Sequence, residues 1–216
     1  MAGGIIKQIE LNGIKLFIRE EQPAFDDLHV VNEVITENCY KLTPEQVKDK
    51  VVVDIGANIG SFSLLAWKWR AKQVIAFEPE PHNFDILKMN IVLNNADIEI
   101  HNKAVGIKGW TKIDNSSGHS QTGRDIGVDV EVVSLNDLDI DKIDLLKCDA
   151  EGGEYEIIET INNETLNKIQ RIVGEFHSWR WEKDPKRHKN LVKRLEQFFE
   201  LSYYGFKNSN FIGIKR

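Results

Sequence analysis

The chain has 216 residues, 41% hydrophobic and 29% charged, with a formal net charge of −6. That length suits one domain with a full apolar core, and its two widely spaced cysteines, Cys39 and Cys148, exclude a disulfide framework and a zinc-finger spacing. No apolar run approaches the ~20 residues of a membrane span and no stretch reads as a signal peptide, so a cytoplasmic, non-membrane protein is expected.

The N-terminus predicts a β-hairpin. Ile9 and Leu11 alternate with polar residues before Asn12-Gly13, and Ile14, Leu16 and Ile18 alternate after it. Asn-Gly suits a type I′ turn, whose two central residues need positive φ. Asp26 or Asp27 then caps a helix presenting Leu28, Val31, Val34 and Ile35 on one face. From Lys50 the rhythm becomes strand–helix–strand. Val51–Ile55 reads as a strand buried on both faces, followed by a glycine turn and a helix with Phe62, Leu65, Ala66 and Trp69 at helical spacing. Gln73–Phe77 is a second strand, Phe84, Leu87 and Ile91 mark a second helix, and Ile98 with Ile100 a third strand. Such repetition implies parallel strands with right-handed crossovers.

Ala104–Gln121 holds glycines and serines and few apolar residues, which predicts a hairpin or mobile loop rather than core; Asn115–Gly123 is expected to close over ligand. Val128–Leu135 is extended, Ile143–Lys147 is a buried strand, a helix starts near Glu154, and Arg171–Phe176 is another strand. Residues 168–216 carry twelve Lys/Arg against five Asp/Glu, concentrated in Arg180–Arg194. This run is either a solvated helix face or a patch that attracts an anionic substrate. The acidity of the remainder argues against broad nucleic-acid binding. Leu191, Val192, Leu195, Phe198 and Phe199 line a late helix, and the chain closes on Leu201–Phe206 and Phe211–Lys215. Two units are expected, an N-terminal hairpin and helix over 1–48 and an α/β domain over 49–216.

The chemistry concentrates in VVVDIGANIGSFSLLA, Val51–Ala66. A buried strand ends in Asp54, and a turn through Gly56 and Gly60 leads into a helix whose free N–H groups face the crevice beyond the strand ends, where open α/β sheets bind ligands. The next strand ends in Glu78, placed to accept hydrogen bonds from ribose hydroxyls, with Pro79 and Pro81 starting a helix. The glycine spacing is not the Gly-x-Gly-x-x-Gly of a dinucleotide site, and an acid at the turn would repel a pyrophosphate.

These blocks resemble the class I methyltransferases, and more narrowly the FkbM-like family. The resemblance rests on VDIGANIGSFSL (Val53–Leu64), VIAFEPEPHNFDILKMNI (Val74–Ile91) and IDLLKCDAEGGEYEII (Ile143–Ile158), with HNKAVG at His101–Gly106. It covers Lys50 to His177 and leaves the first forty residues unexplained. Asn58 stands where many class I enzymes carry a glycine, as in the FkbM-like variant. The resemblance implies an α/β fold with a Rossmann-like, mostly parallel sheet and an antiparallel C-terminal hairpin, preceded by the N-terminal hairpin and helix. It implies S-adenosyl-L-methionine as cofactor, with Asp54, Gly56, Ala57, Asn58, Gly60 and Ser61 around its methionine part. Glu78 and Pro79 would lie at the ribose, and Asn102, Lys103 and Ala104 near the adenine.

Family members that look like this mostly methylate hydroxyl groups of small molecules or sugars. A hydroxyl acceptor must lose a proton, so a base is expected near the methyl donor. Asp149 ends one core strand; His177 ends the next, with Glu175 two residues earlier on the same side. These three are the catalytic candidates, and Asp149 is also a cofactor-binding candidate. Two carboxylates and an imidazole suit a divalent ion, but such clusters also occur without one, and no metal is assigned. Trp179 and Trp181 line either the substrate pocket or a half-exposed core edge. The expected partner is a small hydroxyl acceptor, a sugar or an anionic conjugate of one. The alternatives are a tRNA or other nucleic-acid methyltransferase, with Lys186–Arg194 on phosphates, and a non-catalytic cofactor-binding protein.

Overall fold

The computed structural model describes residues 5–20, 26–114, 121–122, 127–177, 183–205 and 209–216. Trp179, Trp181 and most of the loop Asn115–Gly123 lie outside the described residues. The chain opens on β1 (Ile6–Leu11) and β2 (Ile14–Arg19), antiparallel with Leu11 opposite Ile14, and positive φ at both Asn12 and Gly13. Asp26 caps α1 (Asp27–Val31) by accepting from His29 N. Asp27 instead turns inward: its carboxylate accepts from Arg19 Nε and Nη2 at 2.9 and 2.6 Å. Leu28 is consequently exposed, while Val31, Val34 and Ile35 are buried as expected. A π-helical turn, Asn32–Thr36, follows, then α2 (Pro44–Val47).

The core is a seven-stranded sheet. Its parallel strands are β3 (Val51–Ile55), β4 (Gln73–Phe77), β5 (Glu99–His101), β10 (Leu145–Cys148) and β11 (Arg171–Glu175). The antiparallel pair β12 (Phe199–Tyr204) and β13 (Asn210–Lys215) completes it, in the order β12-β13-β11-β10-β3-β4-β5. The chain therefore reverses its direction of progress across the sheet between β3 and β10, and a crevice opens beyond their carboxyl ends. Helices α3 (Ser61–Lys68), α4 (Pro81–Asn94), α5 (Glu154–Thr160) and α6 (Asn163–Lys168) make the crossovers.

Alternation along the strands divides the core. Val52, Val74, Leu145 and Val173 face one side, where Ile14, Leu16 and Ile18 of the N-terminal hairpin pack together with Phe62 and Leu65 of α3. Val53, Ile75, Leu146 and Ile172 face the other, against Tyr155, Ile158, Leu191 and Leu195. The hairpin is pinned further by α4: Asn90 Oδ1 accepts from Phe17 N and its Nδ2 donates to Phe17 O.

Two expectations are corrected. The stretch after Ala104 builds a second sheet, β6-β9-β7-β8, from Ala104–Val105 (β6), Gly109–Asp114 (β7), Gln121–Thr122 (β8) and Val128–Val133 (β9). Ala104, Val105 and Ile113 are buried in it, so part of this segment is core. The late helix spans Pro185–Leu195 and stops short of Phe198 and Phe199. Phe199 starts β12 opposite Lys215, because pairing along β13 competes with the helical period there.

Candidate active site

A cavity of about 480 Å³ opens at the carboxyl ends of β3, β4, β10 and β11, within the usual size of small-molecule sites. Gly56, Ala57, Asn58 and Ser61 line it from the turn after β3, Glu78 and Pro79 from the end of β4, and Lys103 and Ala104 from the approach to β6. Asp149, Glu175 and His177 line its other end. Asp54, Gly60 and Asn102 do not line it: Asp54 is wholly buried, and Asn102 Nδ2 ties the Glu78 and Pro79 carbonyls at 2.9 and 3.0 Å.

The glycine turn owes its shape to its neighbours. Gly56 has φ +79°, and a Cβ there would lie 1.9 Å from the Asp149 carbonyl oxygen, so the β10 end sets this glycine. Asp54 Oδ2 accepts from Ser63 Oγ at 2.6 Å, and Asp54 Oδ1 lies 3.1 Å from Lys147 Nζ. Asp54 and Lys147 are direct register partners on β3 and β10. Asp54 thus orders the turn and faces away from the ligand. Burial works against the Lys147 charge, but Asp54 and Asp149 outweigh it and hold the ammonium above the ordinary lysine value.

At the end of β4, Glu78 Oε2 accepts from Asn58 N at 2.7 Å and Oε1 from Glu80 N at 2.9 Å. Burial dominates, and despite these hydrogen bonds its carboxyl is pushed up to about 7. Asn58 Oδ1 and Asn83 Oδ1 are buried without a hydrogen-bond partner among the described residues, and both residues line the cavity with Glu78. Two orphaned acceptors next to a carboxylate suit the hydroxyls and amino group of a nucleoside.

At the far end, Tyr40 donates to Asp149 Oδ2 at 2.7 Å, and its ring packs edge-on against Phe62. His177 Nδ1 lies 3.0 Å from Glu154 Oε1, and Nε2 lies 3.2 Å from Glu151 Oε2 and 4.0 Å from Asp149 Oδ1. Burial alone would lower the imidazole, but Glu151, Glu154 and Asp149 together push it up to about 12. Three carboxylates around one imidazole thus favour its protonated form. Burial raises Glu33 and Glu175 above the ordinary carboxylate value, with Asp149 adding to both. Ligand atoms of Asp149, Glu175 and His177 lie within 4.8 Å of one another, a spacing a divalent cation could bridge, although both imidazole nitrogens already face glutamates.

The two arginines of the late helix are engaged elsewhere. Arg187 lines the cavity but grips Glu159 with Nε and Nη2 at 2.9 and 2.7 Å. Arg194 donates to the carbonyls of Ile158, Glu159 and Ile161 at the end of α5. Sequence reasoning missed Tyr40, Glu33, Asn83 and Lys147. The signal for Lys147 was a lysine inside an apolar strand buried on both faces, which demands a buried partner. Nothing in the sequence marked the other three.

A mostly parallel sheet of this strand order with an antiparallel β12–β13 edge, a glycine turn at the switch point and a buried acid closing the neighbouring strand fit a class I S-adenosylmethionine-dependent methyltransferase. Residues 54–207 match the family described as the Methyltransferase FkbM domain, and the chain belongs to that family. It is 27% identical over 190 residues to Methyltransferase sdnD of Sordaria araneosa, covering 68% of this chain and 73% of that one. It is 26% identical over 190 residues to the 31-O-demethyl-FK506 methyltransferase FkbM of Streptomyces tacrolimicus, covering 67% and 72%. The crystal structure of a methyltransferase FkbM from Methylobacillus flagellatus KT superposes with TM-score 0.57 at 15% identity, over 90% of this chain and 48% of that one. The chain thus spans about half the length of that solved relative. Among the described residues no helix is long and apolar enough to cross a membrane.

Proposed function

We propose that the chain transfers the methyl group of S-adenosylmethionine to a hydroxyl of a small molecule or sugar, in the cytoplasm. The observation that carries this reading is the pair of carboxylates, Asp149 and Glu175, at the end of the cavity away from Glu78. Methyl transfer from a sulfonium is an in-line displacement, for which the protein mainly aligns the partners and excludes water. The C–S bond breaks as the O–C bond forms, and the hydroxyl proton passes to a carboxylate. With the protonated form of His177 favoured by its carboxylate neighbours, we assign the proton acceptor to Asp149 or Glu175, and burial makes the Glu175 carboxyl more basic than an ordinary one. His177 then serves to hold Glu151 and Glu154 in place. A relative whose printed name assigns it to an oxygen of FK506 supports an oxygen acceptor.

A methylation screen over sugars, nucleotide-sugars, small phenols and tRNA tests the assignment. Transfer to a hydroxyl is expected, and Asp149→Asn or Glu175→Gln should slow it by about 10²–10⁴-fold at the residue that serves as base. Transfer to tRNA alone would replace this reading with a nucleic-acid methyltransferase. Cofactor binding with no transfer to any class would leave a non-catalytic binding protein.

A further inference from the structure

We propose that Lys147 is the positioning residue of the cofactor turn: its buried ammonium clamps the carbonyls that give the turn its cofactor-receiving shape. Lys147 Nζ donates to Ile55 O at 3.2 Å and Gly56 O at 2.5 Å, and meets Asp54 Oδ1 at 3.1 Å. Two of the ammonium's three protons are donated to these carbonyls, with the Asp54 carboxylate beside it as ion-pair partner, so its hydrogen bonds run to the backbone of the turn. The residue acts through the backbone.

The turn needs such a clamp. On the N–H side it is fixed: Gly56 N and Ala57 N both donate to Phe77 O, and Asn58 N donates to Glu78. On the carbonyl side, Ile55 O also accepts from Asp149 N at 3.2 Å, whereas Lys147 is the partner found for Gly56 O among the described residues. Removing Lys147 leaves the peptide plane between Gly56 and Ala57 held only through Ala57 N and strips its carbonyl of the partner found among the described residues, at a glycine whose φ of +79° leaves it little intrinsic preference. The Asn58 amide that reaches Glu78 is one residue further on. One lysine on β10 therefore couples the turn after β3 to the acid after β4. It also stands beside Asp149, the next residue but one, so both ends of the cavity share a strand.

A charge-balance role for the same lysine makes different predictions. If Lys147 merely neutralises Asp54, a neutral pair should serve as well. Isothermal titration with S-adenosylhomocysteine is to be run on the wild-type chain and on Lys147→Met. The neutral doubles Asp54→Asn/Lys147→Met and Asp54→Asn/Lys147→Gln complete the set, with thermal melts confirming that each is folded. The clamp predicts about tenfold weaker binding for both methionine variants. The glutamine double, whose amide can donate to a carbonyl without charge, should recover most of the loss. Should Lys147→Met alone fail to fold, because it leaves Asp54 buried and unpaired, the two neutral doubles carry the comparison. Wild-type affinity in the methionine double would overturn the clamp in favour of charge balance. Equal weakness in both doubles would also overturn it, since a restored donor would then make no difference. Because only S-adenosylhomocysteine is titrated, these outcomes are independent of which acceptor the enzyme methylates.

Discussion

Glu78 titrates in the range where enzymes are assayed, so cofactor affinity is expected to change with pH. Its carboxyl is pushed from 4.5 up to about 7, chiefly by burial. A ribose hydroxyl donates best to the ionised form. About a tenth of the carboxyls are ionised at pH 6 and about nine-tenths at pH 8, so affinity for S-adenosylhomocysteine should rise by nearly tenfold across that interval. Binding below pH 7 should release up to one proton, visible as a dependence of the calorimetric heat on the buffer's ionisation enthalpy. The folding sign is opposite. A carboxyl raised in the folded state contributes stability that is fully present below its unfolded value near 4.5 and is lost as pH rises through about 7. For this buried group the loss is roughly 3 kcal/mol. Saturating ligand should offset part of it, by favouring the ionised form. Glu80 and Lys147 also act on Glu78, so the control is Glu78→Gln. This variant should bind about 1–3 kcal/mol more weakly at pH 8 and lose the slope. A flat affinity between pH 6 and 8, or the same slope in Glu78→Gln, would refute the assignment of that acid to the ribose.

Asp27→Ala should destabilise the chain by about 1.5–3 kcal/mol in urea unfolding, because it removes the buried carboxylate that the Arg19 guanidinium binds through two nitrogens; a loss below about 1 kcal/mol would show that the N-terminal hairpin does not depend on this pair. Lys186→Ala with Arg187→Ala should raise KM for a phosphate-bearing acceptor, and less so at high salt, if the basic helix steers substrate. An unchanged KM at low salt would show that Arg187 acts only as the partner of Glu159.

How far the sequence disclosed this molecule depends on the range of the interactions. β3, β4 and the helices after them were legible because apolar runs, a glycine turn and two prolines are local signals. Glu78 was legible for the same reason: it ends a strand at a fixed distance from the turn. The second sheet was not, since Ala104-Val105 is too short to show a period and pairs with Val132-Val133 far along the chain. Phe198 and Phe199 continue a helical spacing with Leu191 and Leu195, and only pairing with the last strand removes them from the helix. Tyr40 shows the limit most sharply. It reaches Asp149 across 109 positions, from a segment preceding the region that matches the family, and no spacing rule spans such a distance.

The charge distribution carries the same lesson to the acceptor. The last quarter of the chain is strongly basic, which by itself suggests an anionic substrate. In the fold, Arg194 satisfies carbonyls at the end of α5, Arg187 is held by Glu159, and Lys215 donates to Leu166 O and Asn167 Oδ1. Lys186, Lys189 and Lys193 remain exposed on the helix. The cavity end, by contrast, gathers Glu33, Asp149, Glu151 and Glu175 around His177. Segment charge governs the field felt at a distance, whereas contact chemistry depends on the few groups within hydrogen-bond reach. An anionic group is therefore best accommodated at the rim, near the exposed lysines. At the proposed acceptor position the lining is carboxylate, and carboxylates favour a partner that donates a proton, as a hydroxyl does.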